Sequence, residues 1–325
     1  MHDNDPWTTL RPHQLRDFIA VADTGSLRAA ARKLGLTQPS LTKSLRQLET
    51  QLEVAIITRT SHGVTLTSAG VLLLEHARLI ESEIRRTNDE FRRMRGRSDA
   101  RISVGLSISL AAGLLGEAVR LLRARDPDIS VRIVEGTHER LVADVRQGLC
   151  DFALMPIGAR GHLLDLRIRP LFEERIVVVG RAGHPCTGAS SLCDLAACDW
   201  ITPRRQGVLN ELIDRQAGKL GLSAIRWMVE CNSATTYWDM IAGSDLVGLA
   251  LLTDLESRNA RAFGVVALLD LPALPSVTVA LLHRPDAAPA GSAAALAELC
   301  RDLAGQHVFR KPLGGRPSTQ GDNHK

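Results

Sequence analysis

The chain has 325 residues, of which 45% are apolar and only 3% aromatic, and its net charge is +4. That suits aliphatic cores in two or three domains, while so mild a basicity selects no partner by itself. No run approaches the ~20 apolar residues of a membrane helix, and the opening MHDNDPWTTL lacks the basic start and apolar stretch of a secretory leader, so a cytoplasmic chain with no membrane partner is expected.

Residues 1–10 read as a polar lead. From Gln14 the apolar positions Leu15, Phe18, Ile19 and Ala22 recur at helical spacing, and Gly25 stops the helix. Ser26 can cap a second helix carrying Leu27, Ala30, Ala31 and Leu34, which Gly35 ends. Thr37 can cap a third, with Pro39 in the first turn and Leu41, Leu45, Leu48 and Leu52 along one face. Three short helices with Gly-marked turns predict a helix-turn-helix. Ile56–Arg59 and Val64–Leu66 around Ser61-His62-Gly63 predict a small hairpin, the wing.

A long helix is expected from Thr67 or Ser68 to about Arg95. Leu73, Ala77, Ile80, Ile84, Thr87, Phe91 and Met94 alternate steps of four and three, a heptad seam that predicts pairing with a second copy rather than packing on its own domain. Gly96-Arg97-Ser98-Asp99 reads as a linker. Beyond it strands and helices alternate. Strands are expected at 101–106, 129–135, 151–156, 176–180, 200–202, 225–231, 246–252, 265–269 and 277–283, with helices between them and a last helix near 293–303. This βαβ texture predicts parallel sheets flanked by helices, in two small lobes. The tail from Lys311 is Gly/Pro/polar and expected to be disordered.

Between Ser26 and Leu66 the cations Arg28, Arg32, Lys33, Lys43, Arg46 and Arg59 face only Glu49 and Glu53, a local charge of +4. In a helix-turn-helix the start of the second helix of the pair meets base edges. Here it carries Gln38, Pro39, Ser40, Thr42 and Lys43. Gln38 can bond adenine at two points, Lys43 can donate to guanine, and Pro39 can touch a thymine methyl. Arg46 suits a phosphate, Ser26, Arg28 and Thr37 can hold the backbone, and Arg59 on the wing can reach phosphate or minor groove.

The runs GSLRAAARKLGLTQPSLTKSLRQLE and ITRTSHGVTLTSAG resemble the N-terminal domain of LysR-type transcriptional regulators. The resemblance rests on Ala30-Ala31, Thr37-Gln38-Pro39-Ser40, Leu48-Glu49, Arg59, Leu66-Thr67 and Gly70. Glu53, Ala55 and Ile57 depart from that family's usual Gly, Pro and Phe, and Lys43 replaces its usual Arg. The resemblance covers the first ~95 residues closely and the rest diffusely. It implies a multidomain protein. Residues 1–66 form an all-α winged helix-turn-helix, 67–96 a dimerising linker helix, and 97–310 an α/β two-lobed periplasmic-binding-protein-like effector domain. Lobe I takes about 101–172 and 271–310, lobe II about 173–270, with a tail at 311–325. It also implies a homodimer or homotetramer acting on double-stranded DNA and RNA polymerase under control of a small-molecule effector.

Ligands of open α/β sheets bind beyond the C-terminal strand ends. That rule selects Ser107, Ser109, Thr137, His138, Met155, Thr202, Arg204, Asn232 and Ser233. Hydroxyls and amides at helix starts beside an arginine favour a small carboxylate or sulfonate, although each hydroxyl could equally be a helix cap. No GxSxG, P-loop or HExxH occurs, so no enzyme and no cofactor are expected, and His138 and His184 otherwise read as surface or capping residues. Cys150, Cys186, Cys193, Cys198, Cys231 and Cys300 contain no CxxC pair, so no metal is expected. They read as small apolar residues, with a redox-sensing role for the sequence-close Cys193 and Cys198 as one alternative. A solute-binding α/β protein with an incidental helical head is another.

Overall fold

The structure, a computed structural model, describes residues 10–60, 63–95, 101–108, 113–158, 163–205, 207–222, 225–255, 262–269 and 276–307. The expected linker at 96–99, the lead at 1–9, the tip of the wing at 61–62, Ser109 and the tail lie outside them.

Three helices build the head: α1 (Pro12–Thr24), α2 (Leu27–Leu34) and α3 (Gln38–Leu52). Their ends follow from local chemistry. Pro12 opens α1, and Gly25 closes it in the left-handed region at φ 62°. Ser26 Oγ accepts the Ala29 N–H at 3.3 Å and Thr37 Oγ1 accepts the Ser40 N–H at 3.3 Å, capping α2 and α3. Phe18, Leu41, Leu45, Leu48 and Ile56 are fully buried in one core between the helices and the wing, each worth roughly 1.5–3 kcal/mol of transfer free energy. The wing strands β1 (Ile57–Thr60) and β2 (Gly63–Leu66) pair antiparallel. Val64 N–H bonds Gly25 O at 2.9 Å, which ties the wing to the end of α1.

Helix α4 (Ser68–Met94) follows. Ala77 of the expected seam is buried against Leu15 and Ile19 of α1. Ile80, Ile84, Phe91 and Met94 are exposed.

The second domain holds a seven-stranded sheet. Strands β3 (Arg101–Ser107), β4 (Ser130–Gly136) and β5 (Phe152–Ile157) are parallel, crossed by α5 (Gly113–Arg125) and α6 (His138–Arg146). Beyond β5 the sheet is not parallel, contrary to expectation. Strand β6 (Arg167–Arg181) is fifteen residues long and pairs antiparallel with every neighbour. Its first half pairs with a later strand, Ser276–His283, and its second half crosses into a second group of strands. Sequence reading found only residues 176–180 of it, because Arg167–Arg175 is charged and holds Pro170. The ladder accommodates that proline where the register shifts, between Val279 and Ala280.

The second lobe follows: a 3-10 turn (Leu192–Leu195), β7 (Trp200–Thr202), α7 (Val208–Lys219), β8 (Trp227–Glu230), α8 (Ala234–Ala242), β9 (Gly248–Leu251), α9 (Leu252–Leu255) and β10 (Val265–Leu269). The short α9 was not expected. The chain then returns through β11 (Ser276–His283) and α10 (Gly291–His307) to the first lobe. Strands β7 and β8 are parallel and pair apart from the main sheet. Among the described residues no helix is long and apolar enough to cross a membrane.

Candidate functional site

The head presents the start of α3 to solvent. Gln38, Pro39, Ser40, Lys43 and Arg46 are exposed and Thr42 is half-buried. Leu41, Leu45 and Leu48 on the opposite face are buried to 2% exposure or less. The helix therefore lies with its polar stripe outward, and periodicity alone dictates this. Arg28 and Arg59 are also exposed. Ser26 and Thr37 sit at the N-caps, so their hydroxyls already serve α2 and α3. Arg11, Gln47 and Thr50 extend the same shallow groove with Thr42, Lys43 and Arg46; sequence reading did not single them out.

Glu49, which counts against the positive charge, has a structural task. Its Oε1 accepts the Ile56 N–H at 3.0 Å and the Ile57 N–H at 3.3 Å. The carboxylate thus fixes the turn from α3 into the wing.

A second site opens between the lobes of the α/β domain. Ser107 at the end of β3, Thr137, His138 and Glu139 at the start of α6, and Pro156 in β5 line one wall. Ile201 and Thr202 of β7 and Arg204 after it, with Gly207 and Asn210 at the start of α7, line the other. Tyr237 and Leu249 close the bottom. Of the expected contacts, Ser107, Thr137, His138, Thr202 and Arg204 meet here.

The others do not. Met155 is fully buried in a core beneath α6 with Leu141 and Val145. It precedes the strand end by two residues, and its side chain points away from the cleft. Asn232 and Ser233 are exposed outside the cleft, and Ser233 caps α8 by accepting the Thr236 N–H at 3.4 Å. Asn210, Glu139 and Tyr237 escaped sequence reading. Nothing local marks Asn210, whose partner Thr202 lies on another element, or Tyr237, whose apolar surroundings come from Val177, Val179 and Ala250 on other strands.

The cleft polar groups are held from behind. Asn210 Nδ2 donates to Thr202 Oγ1 at 2.8 Å, and the Arg204 N–H donates to the same oxygen at 3.2 Å. Thr202 and Asn210 are 1% and 3% exposed, so this pair shapes the 202–205 turn. Tyr237 OH donates to Leu249 O at 2.9 Å and accepts the Leu249 N–H at 2.8 Å. Burial pushes its phenol above the usual range. Across the opening, Arg204 Nε lies 3.6 Å from Glu139 Oε1, one ion pair spanning both lobes.

Two further expectations can be refined. Of the surface and capping roles expected of His184, its position fits the second: it is 3% exposed, its Nδ1 accepts the Cys186 N–H at 3.0 Å and its Nε2 meets Asp245 O at 3.1 Å. The thiols that touch are Cys186 and Cys198, Sγ to Sγ 3.4 Å, whereas Cys193 is exposed. Burial and the neighbouring Cys186 push the Cys198 thiol up to about 12.

A winged helix-turn-helix joined by a long helix to a two-lobed sensor defines a DNA-binding transcriptional regulator controlled by an effector. The comparisons name the family. Residues 12–71 match the bacterial regulatory helix-turn-helix of the lysR family, and residues 95–305 match the LysR substrate binding domain. The chain belongs to the LysR family of transcriptional regulators. It is 28% identical over 264 residues to the HTH-type transcriptional regulator TdcA of Escherichia coli strain K12, covering 81% of this chain and 82% of that one. Among solved structures it resembles full-length CbnR complexed with its target DNA (TM-score 0.65, 22% identity, 90% and 99% of the two chains). It also resembles an H2O2-bound OxyR mutant of Corynebacterium glutamicum (TM-score 0.53, 23% identity, 91% and 93%).

Proposed function

We propose that the exposed start of α3 reads base edges of a duplex, and that the inter-lobe cleft takes a small organic anion that changes the regulator's grip on that duplex. One observation carries the ligand reading: the N-termini of α6 and α7, one from each lobe, meet at the cleft beside His138 and Arg204. Neither Thr137 nor Gly207 caps its helix with a side chain, and the positive end of a helix favours an anion. Glu139 supplies Arg204 with a counter-charge that a carboxylate or sulfonate would replace.

In this reading Gln38, Pro39, Ser40, Thr42 and Lys43 contact bases. Arg46, Arg28, Ser26, Thr37 and Arg59 contact the backbone. The exposed seam of α4 pairs with a second copy, giving a homodimer or homotetramer in the cytoplasm whose ligand-dependent shape alters contact with RNA polymerase. A ligand that prefers one lobe closure by about 1–3 kcal/mol shifts DNA affinity 5–150-fold.

The test is a salt titration of DNA binding by the full chain on its own upstream region, with and without a panel of small carboxylates and sulfonates. Gln38→Ala should erase the preference for that sequence over random duplex. Arg46→Ala should weaken both equally and lower the salt slope by about one. A panel that leaves binding untouched, or equal losses for Gln38→Ala on both duplexes, refutes the corresponding half. The touching thiols Cys186 and Cys198 favour a second, redox reading, which requires peroxide to replace the anion in this titration and Cys198→Ser to abolish the response. A thiol held at about 12 is a poor nucleophile at neutral pH, so the anion reading is preferred.

A further inference from the structure

Helix α4 touches more than the head. Another of its faces lies against the sensor domain. The closest approach is steric: Gly148, just past the end of α6, has φ +67°, and a Cβ there would sit 2.5 Å from Ser82 Oγ and 2.6 Å from Ser82 Cβ. Ser82 is 5% exposed. Glycine alone allows both this backbone and this approach. Around the contact, Arg85 donates to the Gly148 carbonyl at 2.8 Å, and Arg284 of the sensor donates to Glu83 at 2.8 Å.

Arg78 then joins three parts of the chain. One Nη donates to Gln147 Oε1, next to Gly148. The other donates to Asp23 Oδ1 at 2.9 Å, in the last turn of α1. Asp23 also receives Lys33 Nζ of α2 at 3.3 Å. With its side chain 17% exposed, Arg78 is partly shielded from the screening that makes surface pairs weak.

Both ends of α6 matter. Its first turn carries His138 and Glu139 in the cleft, where Glu139 meets Arg204 of the other lobe. Its far end leads into Gln147 and Gly148, which lie against Arg78 and Arg85 of α4. A helix of nine residues is a stiff rod about 14 Å long, so movement at one end is delivered to the other.

We propose that the sensor docks on its own linker helix at Gly148 and Ser82 and holds the reading head through Arg78, so that α6 conveys the state of the Glu139–Arg204 contact to the head. Arg78 is a positioning residue: it sets the angle at which α1 to α3 are offered to DNA. The docking holds independently of what the cleft binds; only the relay rests on the cleft being the ligand site.

Hydrogen exchange on the full-length chain, without DNA or ligand, tests both halves. Gly148→Ala and Gln147→Ala alter only the sensor. Each should speed exchange about tenfold in the middle of α4 and in the last turn of α1, the scale of one lost hydrogen bond to a charged group. Alanine at 148 strains its own backbone, so Gln147→Ala decides: head protection equal to wild type in that variant overturns the docking. Arg78→Gln should match it at the head. For the relay, Glu139→Gln should speed exchange in α4, and adding it to Gln147→Ala should give no further gain. An unchanged α4 in Glu139→Gln, or fully additive gains in the double variant, overturns the relay and leaves the docking standing.

Discussion

The reading head and the inter-lobe cleft are built on opposite plans. The head offers an open stripe of exposed side chains along one helix, fixed from beneath by Leu41, Leu45 and Leu48 of that helix. The cleft is concave. Its walls come from strand ends and helix starts between Ser107 and Leu249, and its polar groups are fixed by one another, as Thr202 and Asn210 are. The difference teaches where each site is vulnerable. The head fails when its apolar packing fails. The cleft fails when a single buried hydrogen bond is lost, even with the core intact.

The strongest way to break the head without touching its reading face is Gly70→Ala. A Cβ at Gly70 would lie 2.0 Å from Ile56 O and 3.0 Å from Ile56 C, both backbone atoms that cannot turn aside. Ile56 is fully buried and anchors the wing. The expected cost is about 3 kcal/mol or more, the upper range for overpacking. It is measured as the loss of exchange protection at residues 41–48 and of DNA binding, with near-ultraviolet signals from Trp200 and Trp227 in the sensor unchanged. Retained protection of α3 in this variant would mean the head relaxes around Ile56 far more easily than its packing implies.

The two sites also differ in how far the amino-acid order alone discloses them. In the head, the helix starts at Ser26 and Thr37 and the exposed positions of the third helix were legible because caps, Gly stops and a 3.6-residue period are local signals, and an exposed face is the complement of a buried one. For the cleft, the strand-end rule picked out residues that the fold brings together: Ser107, Thr137, His138, Thr202 and Arg204. It named the wrong side chain where the pleat decides, as at Met155, and where a hydroxyl serves its own helix, as at Ser233. It passed over Asn210, which becomes a cleft residue only because α7 turns its first face toward Thr202. The first half of β6 was hidden for a like reason: its strand character comes from β11, more than a hundred positions later.

A middle-sized effect sharpens the contrast from the cleft side. Thr202→Val keeps the shape and deletes the hydroxyl that serves Asn210 and the Arg204 N–H. Leaving those buried partners unsatisfied should cost about 1–3 kcal/mol, seen as a lower urea midpoint in tryptophan fluorescence of the second lobe. The head, measured by exchange at 41–48, should not change. An unaltered midpoint would show that the 202–205 turn is held by its backbone alone.

The smallest effect runs the other way. Glu53 is the only described non-glycine residue with positive φ, at 54°, and it closes α3 with its N–H directed at the carbonyls of Glu49 and Thr50. Glycine suits that left-handed cap without a Cβ penalty, which accounts physically for the family's preference there. Its side chain is exposed, so little packing is lost. Glu53→Gly should therefore stabilise the head by about 0.5–1 kcal/mol, although greater freedom of the unfolded glycine offsets part of the gain. Exchange at Leu45 and Leu48 should slow by a few-fold, while the Thr202 turn and the cleft stay as they are. Faster exchange at these leucines would mean that the unfolded-state entropy of glycine outweighs the relief of the strained cap. The head's stability would then rest on its buried leucines with no reserve at the end of α3.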